Sequence, residues 1–354
     1  MSWKCTSTVA AVATALLASV NPVSGQGYYA IVSGGYANYA YGSWSNIGGG
    51  LYNTNYYPYS TIGGGRYNYL YGYASVIAGG NSGNVYSSWT YVAGVDDGRT
   101  YSGWSTVEGG YYNAAYGGYG HVNGGRQNTQ FGSYGEIGGG YSHWANGYNW
   151  ETITGGFDNY IYGYASTIAG GMYNGAWGSY TMVGGGWYNR AYASVSTVSG
   201  GNYNYVYSSR GAIGGGYYNY VYAYSGIILG GYANKVTGYA GGVLGGYYNS
   251  AMGYTTSVQG GYYNRVYSSY AFIGGGYSNS AQYAYSKVYG GYDNWAYGYS
   301  AHVSGGQYNN AMASYSNIGG GRYNKVYALY GTVRGGYGNT VGGYAGIVFG
   351  GLTN

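Results

Sequence analysis

Residues able to do acid–base or metal chemistry are scarce in this chain. Its 354 residues include seven Asp and Glu, twelve Lys and Arg, three His and one Cys. His121, His143 and His302 stand far apart, so no pair has the spacing of a metal site. The carboxylates Asp96, Asp97, Glu108, Glu136, Glu151 and Asp158 gather in the first half. Glycoside hydrolysis needs two of them facing one bond, and the spacing of Glu108 and Glu136 gives no support for a pair. Asp96-Asp97-Gly98 lacks the further spaced oxygens of a calcium loop and reads as a solvated turn. Serine is common, but no His and acid accompany it as a triad would require. The glycine runs do not begin a GxxxxGK[ST] phosphate loop. The expectation is a non-enzymatic protein with no cofactor and no bound metal.

The abundant reactive and adhesive group is the aromatic ring: 61 Tyr, 9 Trp and 4 Phe. One set holds the same place in 15 of 21 successive rows of fifteen residues, with one extra residue after Gly138: Tyr41, Tyr56, Tyr71, Tyr86, Tyr101, Tyr116, Phe131, Tyr162, Trp177, Tyr192, Tyr207, Tyr222, Tyr267, Tyr297 and Tyr327. Arg190, Arg265 and Lys325 lie two residues before the same position in their rows. If equivalent positions stack, these residues form one aromatic column flanked by cations, a candidate contact surface. The plainer reading is that Tyr suits a strand and that the rings stabilise each other.

The element that must position them is the row itself, as in Gly63–Ile77, GGGRYNYLYGYASVI. Counted in fifteens from Ser33, position 2 is always Gly and position 15 is always Ile or Val. Position 6 is Asn in nearly every row, and position 8 is mostly Ala, Val, Leu or Ile. Small and apolar residues alternate with larger ones at a spacing of two, the strand period, and glycines mark the strand ends. A fixed period of this kind calls for a repeat architecture. Two short strands and two tight turns per row predict an all-β fold: a single elongated, flattened β-solenoid of about 21 coils of 15 residues. Recurrent glycine argues against helix, and Ile or Val at one position in every row argues against a disordered low-complexity chain. Positions 8 and 15 are expected to face each other in a thin core, with Asn at position 6 pointing inward as a stacked hydrogen-bonded ladder.

Residues 1–25 break the pattern. Lys4, the short apolar run Val9–Val20 and the small residues Val23-Ser24-Gly25 read as a secretory signal peptide, giving a secreted, extracellular protein. Cys5 lies within it, so no disulfide is expected, and no Asn-x-Ser/Thr sequon occurs. No other apolar stretch is long enough for a membrane span. The repeat domain is read as 26–354, one domain without a linker. Charge is sparse and uneven: residues 26–158 sum to −3 and residues 159–354 to +7. That density is too low for a nucleic-acid surface.

The row, read as S-x-V-x-G-G-x-x-N-x-A-x-G, resembles the β-roll repeat in the head domains of bacterial trimeric autotransporter adhesins. It resembles equally the N-x-V-x-G half-repeats of grass ice-recrystallisation-inhibition proteins. Both are left-handed β-rolls, so the resemblance implies a left-handed roll over 26–354. Since the two families do different things, it implies an architecture more than an activity. An adhesin would continue into a stalk and anchor, whereas this chain stops at Asn354. An ice-binding roll would show a regular column of small hydroxyls; position 14 mixes Thr61, Thr106, Thr167, Thr197 and Thr332 with Val76, Tyr91, Glu136, Lys287 and His302. The sequence is therefore read as a structural or adhesive protein of a matrix, wall or surface layer that self-associates laterally or end to end. Ice and polysaccharide are the alternative partners.

Overall fold

The computed structural model describes residues 24–353. Strands of two residues alternate between two parallel sheets, and no helix occurs among the described residues. Each strand pairs with the equivalent strand one coil away: Tyr69–Leu70 lies between Thr54–Asn55 and Asn84–Val85, and Val76–Ile77 lies between Thr61–Ile62 and Tyr91–Val92. The result is a β-solenoid of about 22 turns with fifteen-residue spacing. The first paired strand, Ser24–Gly25, binds Tyr39–Ala40, so regular pairing begins two residues before the expected boundary at 26. The rest of the expected signal segment lies outside the described residues.

The core is one layer thick. Position 8 of one sheet (Leu70, Val206, Val221) meets position 15 of the other (Ile77, Ile213, Ile228), and all are fully buried. Burying each such side chain contributes roughly 1.5–3 kcal/mol, too little for one coil to stand alone. The remainder comes from stacking. Asn at position 6 brackets the corner in the expected ladder. Asn219 Nδ2 donates to the Gly215 carbonyl of its own coil at 2.9 Å and to the Gly231 carbonyl of the next at 3.0 Å. Its Oδ1 accepts the backbone N–H of Asn234 at 3.0 Å.

The corners hold a result that the glycine pattern does not predict. Position 5 and position 12 adopt left-handed backbone in almost every row, yet Tyr and Trp commonly fill them, as at Tyr67 (φ 55), Trp104 (φ 57) and Tyr218 (φ 57). This geometry costs a bulky residue about 1–2 kcal/mol. It is offset because it aims the N–H at the coil before: Tyr67 donates to Leu51 O at 2.9 Å and Trp89 to Tyr73 O at 3.0 Å. Glycine is required instead at position 3. A Cβ on Gly65 (φ 89) would lie 2.1 Å from the Gly80 carbonyl oxygen.

The two irregular places have distinct causes. Around 78–107 the ladder Asn is replaced by Gly83 and Gly98. Val95 stands where position 3 is otherwise Gly, and a Cβ on Gly98 would meet its Cγ1 at 2.6 Å. The Val side chain thus occupies the space an Asn would use, and the corner straightens into the longer strand Tyr91–Asp96. The extra residue of row 138 forms a bulge at Gly147–Tyr148, as expected. Asn149 then bridges Ser133, and Tyr148 projects into solvent at 82% exposure.

Two substitutions test this inside–outside assignment. Ile213→Asp places a carboxylate in the dry layer and is expected to cost more than about 4 kcal/mol. Tyr222→Ser, on an exposed ring, is expected to cost about 1 kcal/mol. Equal losses in urea melts would refute the packing described. Asn219→Ala leaves the Gly215 carbonyl and the Asn234 N–H without the amide and takes one of two donors from the Gly231 carbonyl, which keeps the Tyr217 N–H, and a loss of about 2–4 kcal/mol is expected in the same assay.

Candidate functional site

The position-9 rings lie on the outer face of one sheet, and none is buried. From Tyr41 to Phe131, seven successive rings stack at centroid separations of 4.3–5.7 Å and interplanar angles of 2–12°. A second ladder runs Tyr162, Trp177, Tyr192, Tyr207, Tyr222 at 4.8–6.0 Å. The expected single column is therefore two ladders and three separate rings. Asn146 ends the first, Thr237 the second, and Tyr267, Tyr297 and Tyr327 alternate with Met252, Gln282, Met312 and Gly342. With one ring per coil, a single non-aromatic residue doubles the gap and breaks contact.

The cations differ in availability. Arg190 lies over Trp177 and Tyr188, 5.3 and 5.8 Å from their ring centroids, and donates to Tyr192 Oη at 3.1 Å. Arg265 and Lys325 are exposed, and Arg265 lines a shallow groove with Tyr263, Tyr267 and Trp295. Burial, then the neighbouring phenols Tyr192 and Tyr222, push the pKa of Tyr207 up to about 12. That phenol stays neutral over the ordinary pH range and presents a hydroxyl to solvent or a partner.

A longer aromatic run lies on the narrow edge, where position 4 meets position 5. From Tyr141 to Tyr337 every coil supplies a ring in contact with the next, by way of Phe157, Tyr173, Tyr188, Tyr203, Tyr217 and onward, at centroid separations of 4.8–6.0 Å. Neither position is aromatic throughout. Tyr203 fills the gap left by Asn202, Tyr308 that of Gln307 and Tyr323 that of Arg322. Reading single columns hides this ribbon; pooling the two turn positions would have revealed it. The opposite edge carries a similar ribbon from Tyr224 to Tyr344, with separations of 5.1–5.8 Å.

The polar candidates are dispersed. Among the described residues the one ion pair is Arg99–Asp97 at 2.8 Å, and no group of three or more His, Cys, Asp or Glu could hold a metal. Asp96 accepts from Asn81 Nδ2 at 2.7 Å, and Glu136 accepts from Asn123 Nδ2 at 3.3 Å. The exception is the bulged coil. Glu151 occupies inward position 13, is fully buried, and has no hydrogen-bond partner on either oxygen. Gly132 and Gly135 make room for it, since a Cβ on Gly132 would lie 2.3 Å from Oε2. Gln130, on the adjacent coil, is also buried; its Nε2 donates to the Gly132 carbonyl and its Oε1 is unpartnered. His143 replaces the ladder Asn, with its N–H donating to Asn128 Oδ1 at 3.0 Å and its Nδ1 accepting from Asn159 N–H at 3.2 Å.

Burial raises the Glu151 carboxyl from 4.5 to about 7 and lowers the His143 imidazole from 6.5 to about 4. The charge count that treats Glu151 as ionised therefore overstates the negative half at neutral pH. As pH rises from 4.5 to 7 the unfolded Glu151 ionises before the folded one, so stability is lost across that window. As pH falls from 6.5 towards 4 the unfolded His143 takes up its proton first, so stability is lost in that direction. Glu151→Gln is expected to raise the melting temperature by about 2–4 °C at pH 8 and to change it little at pH 4. An unchanged melt at pH 8 would contradict the burial of Glu151.

No protein-family model matches the chain, and no curated protein matches it in sequence.

Proposed function

We propose that this is a secreted, non-catalytic structural or adhesive protein of an extracellular matrix, wall or surface layer. The observation that carries the reading is the unbroken edge ribbon from Tyr141 to Tyr337. A rod with partly exposed, mostly phenolic rings along both narrow edges suits repeated lateral contact. Aromatic pairs contribute about 0.5–1.5 kcal/mol beyond their area, so weak contacts sum along a rod. The favoured partner is a second copy of the chain, laterally or end to end. The resemblance to adhesin heads agrees with this reading as an architecture. No helix among the described residues is long and apolar enough to cross a membrane.

Ice binding is the second reading, carried by the outward Thr61, Thr106, Thr167, Thr197 and Thr332. Those hydroxyls are interrupted by Tyr91, Glu136 and Lys287, whereas the ribbon is continuous. Polysaccharide stacking ranks third, because the ~4.8 Å strand spacing does not match a sugar repeat.

Sedimentation and light scattering test the proposal. The protein is expected to associate with rising concentration. Changing Tyr217, Tyr232, Tyr247 and Tyr262 together to Ser is expected to weaken association at least about tenfold, equivalent to ~1.4 kcal/mol, with the strand circular dichroism retained. A protein that stays monomeric at high concentration would sink the reading, and clear faceting of ice crystals would put the second one first.

A further inference from the structure

We propose that the edge ribbons are sites of oxidative phenol coupling, in which side-by-side tyrosines are joined as dityrosine by a haem peroxidase and hydrogen peroxide. This goes beyond the structural reading, and its intrachain form does not depend on self-association. The described residues contain no Cys and only three Lys, Lys235, Lys287 and Lys325, so thiol and amine cross-linking chemistry is absent or sparse among them. Phenols are the abundant oxidisable group.

Geometry selects which phenols couple. Dityrosine joins two rings through the carbons ortho to their hydroxyls, so coupling needs those carbons on two rings to come within reach of each other. Tyr111–Tyr112, on the same edge ahead of the ribbon, and Tyr217–Tyr218 and Tyr262–Tyr263 within it each pair position 4 with position 5, with centroids 4.2, 4.4 and 4.5 Å apart and planes at 81°, 80° and 85°. The left-handed backbone at the second residue turns its ring against the first. Side-chain hydrogen bonding with the neighbouring phenol is the leading cause of the raised pKa of Tyr111 and Tyr217; at Tyr262 burial leads, and the charge and hydrogen bonding of Tyr263 follow. The ortho carbons flank the hydroxyls. The face pair Tyr207–Tyr222 is different: its rings lie 4.8 Å apart at 4°, and Tyr222 acts on the Tyr207 phenol through its charge and not through a hydrogen bond, whereas the face pairs Tyr56–Tyr71 and Tyr101–Tyr116 share a side-chain hydrogen bond as the edge pairs do. The rings of the pairs are partly or fully exposed at the edge. Spacings of 4.8–6.0 Å along the ribbon let an oxidised ring take an electron from its neighbour, so two radicals made apart can migrate into one pair.

The step balances. Hydrogen peroxide oxidises the haem by two electrons, and the haem removes one electron and one proton from each of two phenols. The two tyrosyl radicals form one ortho carbon–carbon bond. Each ring then moves its ortho hydrogen from carbon to oxygen and regains its phenol. Two tyrosines and one peroxide give one dityrosine and two waters, so the protein loses two hydrogens per bond.

The full repeat chain, treated with a haem peroxidase and hydrogen peroxide at low concentration, is expected to develop dityrosine fluorescence and to lose two hydrogens per cross-link in intact mass. Peptide mapping is expected to place the bonds in the segments that contain Tyr217–Tyr218 and Tyr262–Tyr263. The triple variant Tyr111→Phe, Tyr217→Phe, Tyr262→Phe keeps the rings and is expected to lower the yield at least about twofold. Tyr207→Phe with Tyr222→Phe is expected to leave it unchanged. Circular dichroism checks that both variants are folded. No dityrosine, or dityrosine that maps to the face ladders and is insensitive to the edge substitutions, would overturn the proposal.

Discussion

Everything in this protein depends on the coil-to-coil backbone ladder at a fifteen-residue offset. Each coil buries one or two aliphatic side chains and cannot fold by itself. Its neighbours supply the missing partners for strand backbone, corner N–H groups and Asn side chains alike. The Asn ladder matters because it ties three backbone groups at the tightest corner, where strand pairing is reduced to a single bridge such as Tyr217–Tyr232. An unmade hydrogen bond there costs about as much as a core methyl group contributes, so polar stacking and apolar stacking are comparable forces.

That ladder explains which irregularities the roll accepts. A residue may change if the space and the hydrogen bonds it controls are taken over nearby. Val95 filling the place opposite Gly98 is one case, and His143, whose Nδ1 accepts the next coil's N–H in place of an Asn oxygen, is another. The extra residue near Tyr148 is absorbed as a bulge because it leaves the strand pairs on either side in register, Trp144–Ala145 with Tyr160–Ile161 and Thr152–Ile153 with Thr167–Ile168. Glu151 and Gln130 are accepted at a cost in unpaired oxygens, which makes the bulged coil the electrostatically sensitive one.

The same ladder turns a biased composition into a surface. One aromatic residue per coil becomes a stack because the coil spacing is close to the thickness of a ring. Two adjacent turn positions that are each incomplete become a continuous ribbon, because rings from both reach the same edge. Face and edge then differ in arrangement: on the face, one position supplies parallel rings; on the edge, two positions supply both stacked contacts such as Tyr277–Tyr292 and steep pairs such as Tyr217–Tyr218. The association proposed for the rod and the coupling proposed for its edges draw on this difference.

The sequence by itself determined the solenoid, its period, the aliphatic core at positions 8 and 15, the inward Asn and the place of the bulge, because each recurs at a fixed interval and is set by local strand alternation. Residues such as Ile213, Asn219 and Tyr222 were legible in that way. Tertiary structure alone decided the rest. The face column is continuous through Trp177 but fails at Asn146 and Thr237, because stacking is a contact between neighbouring coils and one missing ring breaks it. The edge ribbon needed the positions of two side chains on one corner, which a column-by-column reading separates. The left-handed Tyr at the corners ran against residue preference and was made tolerable only by a hydrogen bond from the neighbouring coil. Glu151 sat on an inward position in the alternation, but the extra residue blurred the register there, and its burial followed only from the glycines of the adjacent coil that leave it room. Periodicity specifies what repeats along the chain; contact between coils specifies what those repeats meet, and the candidate surface is made of such meetings.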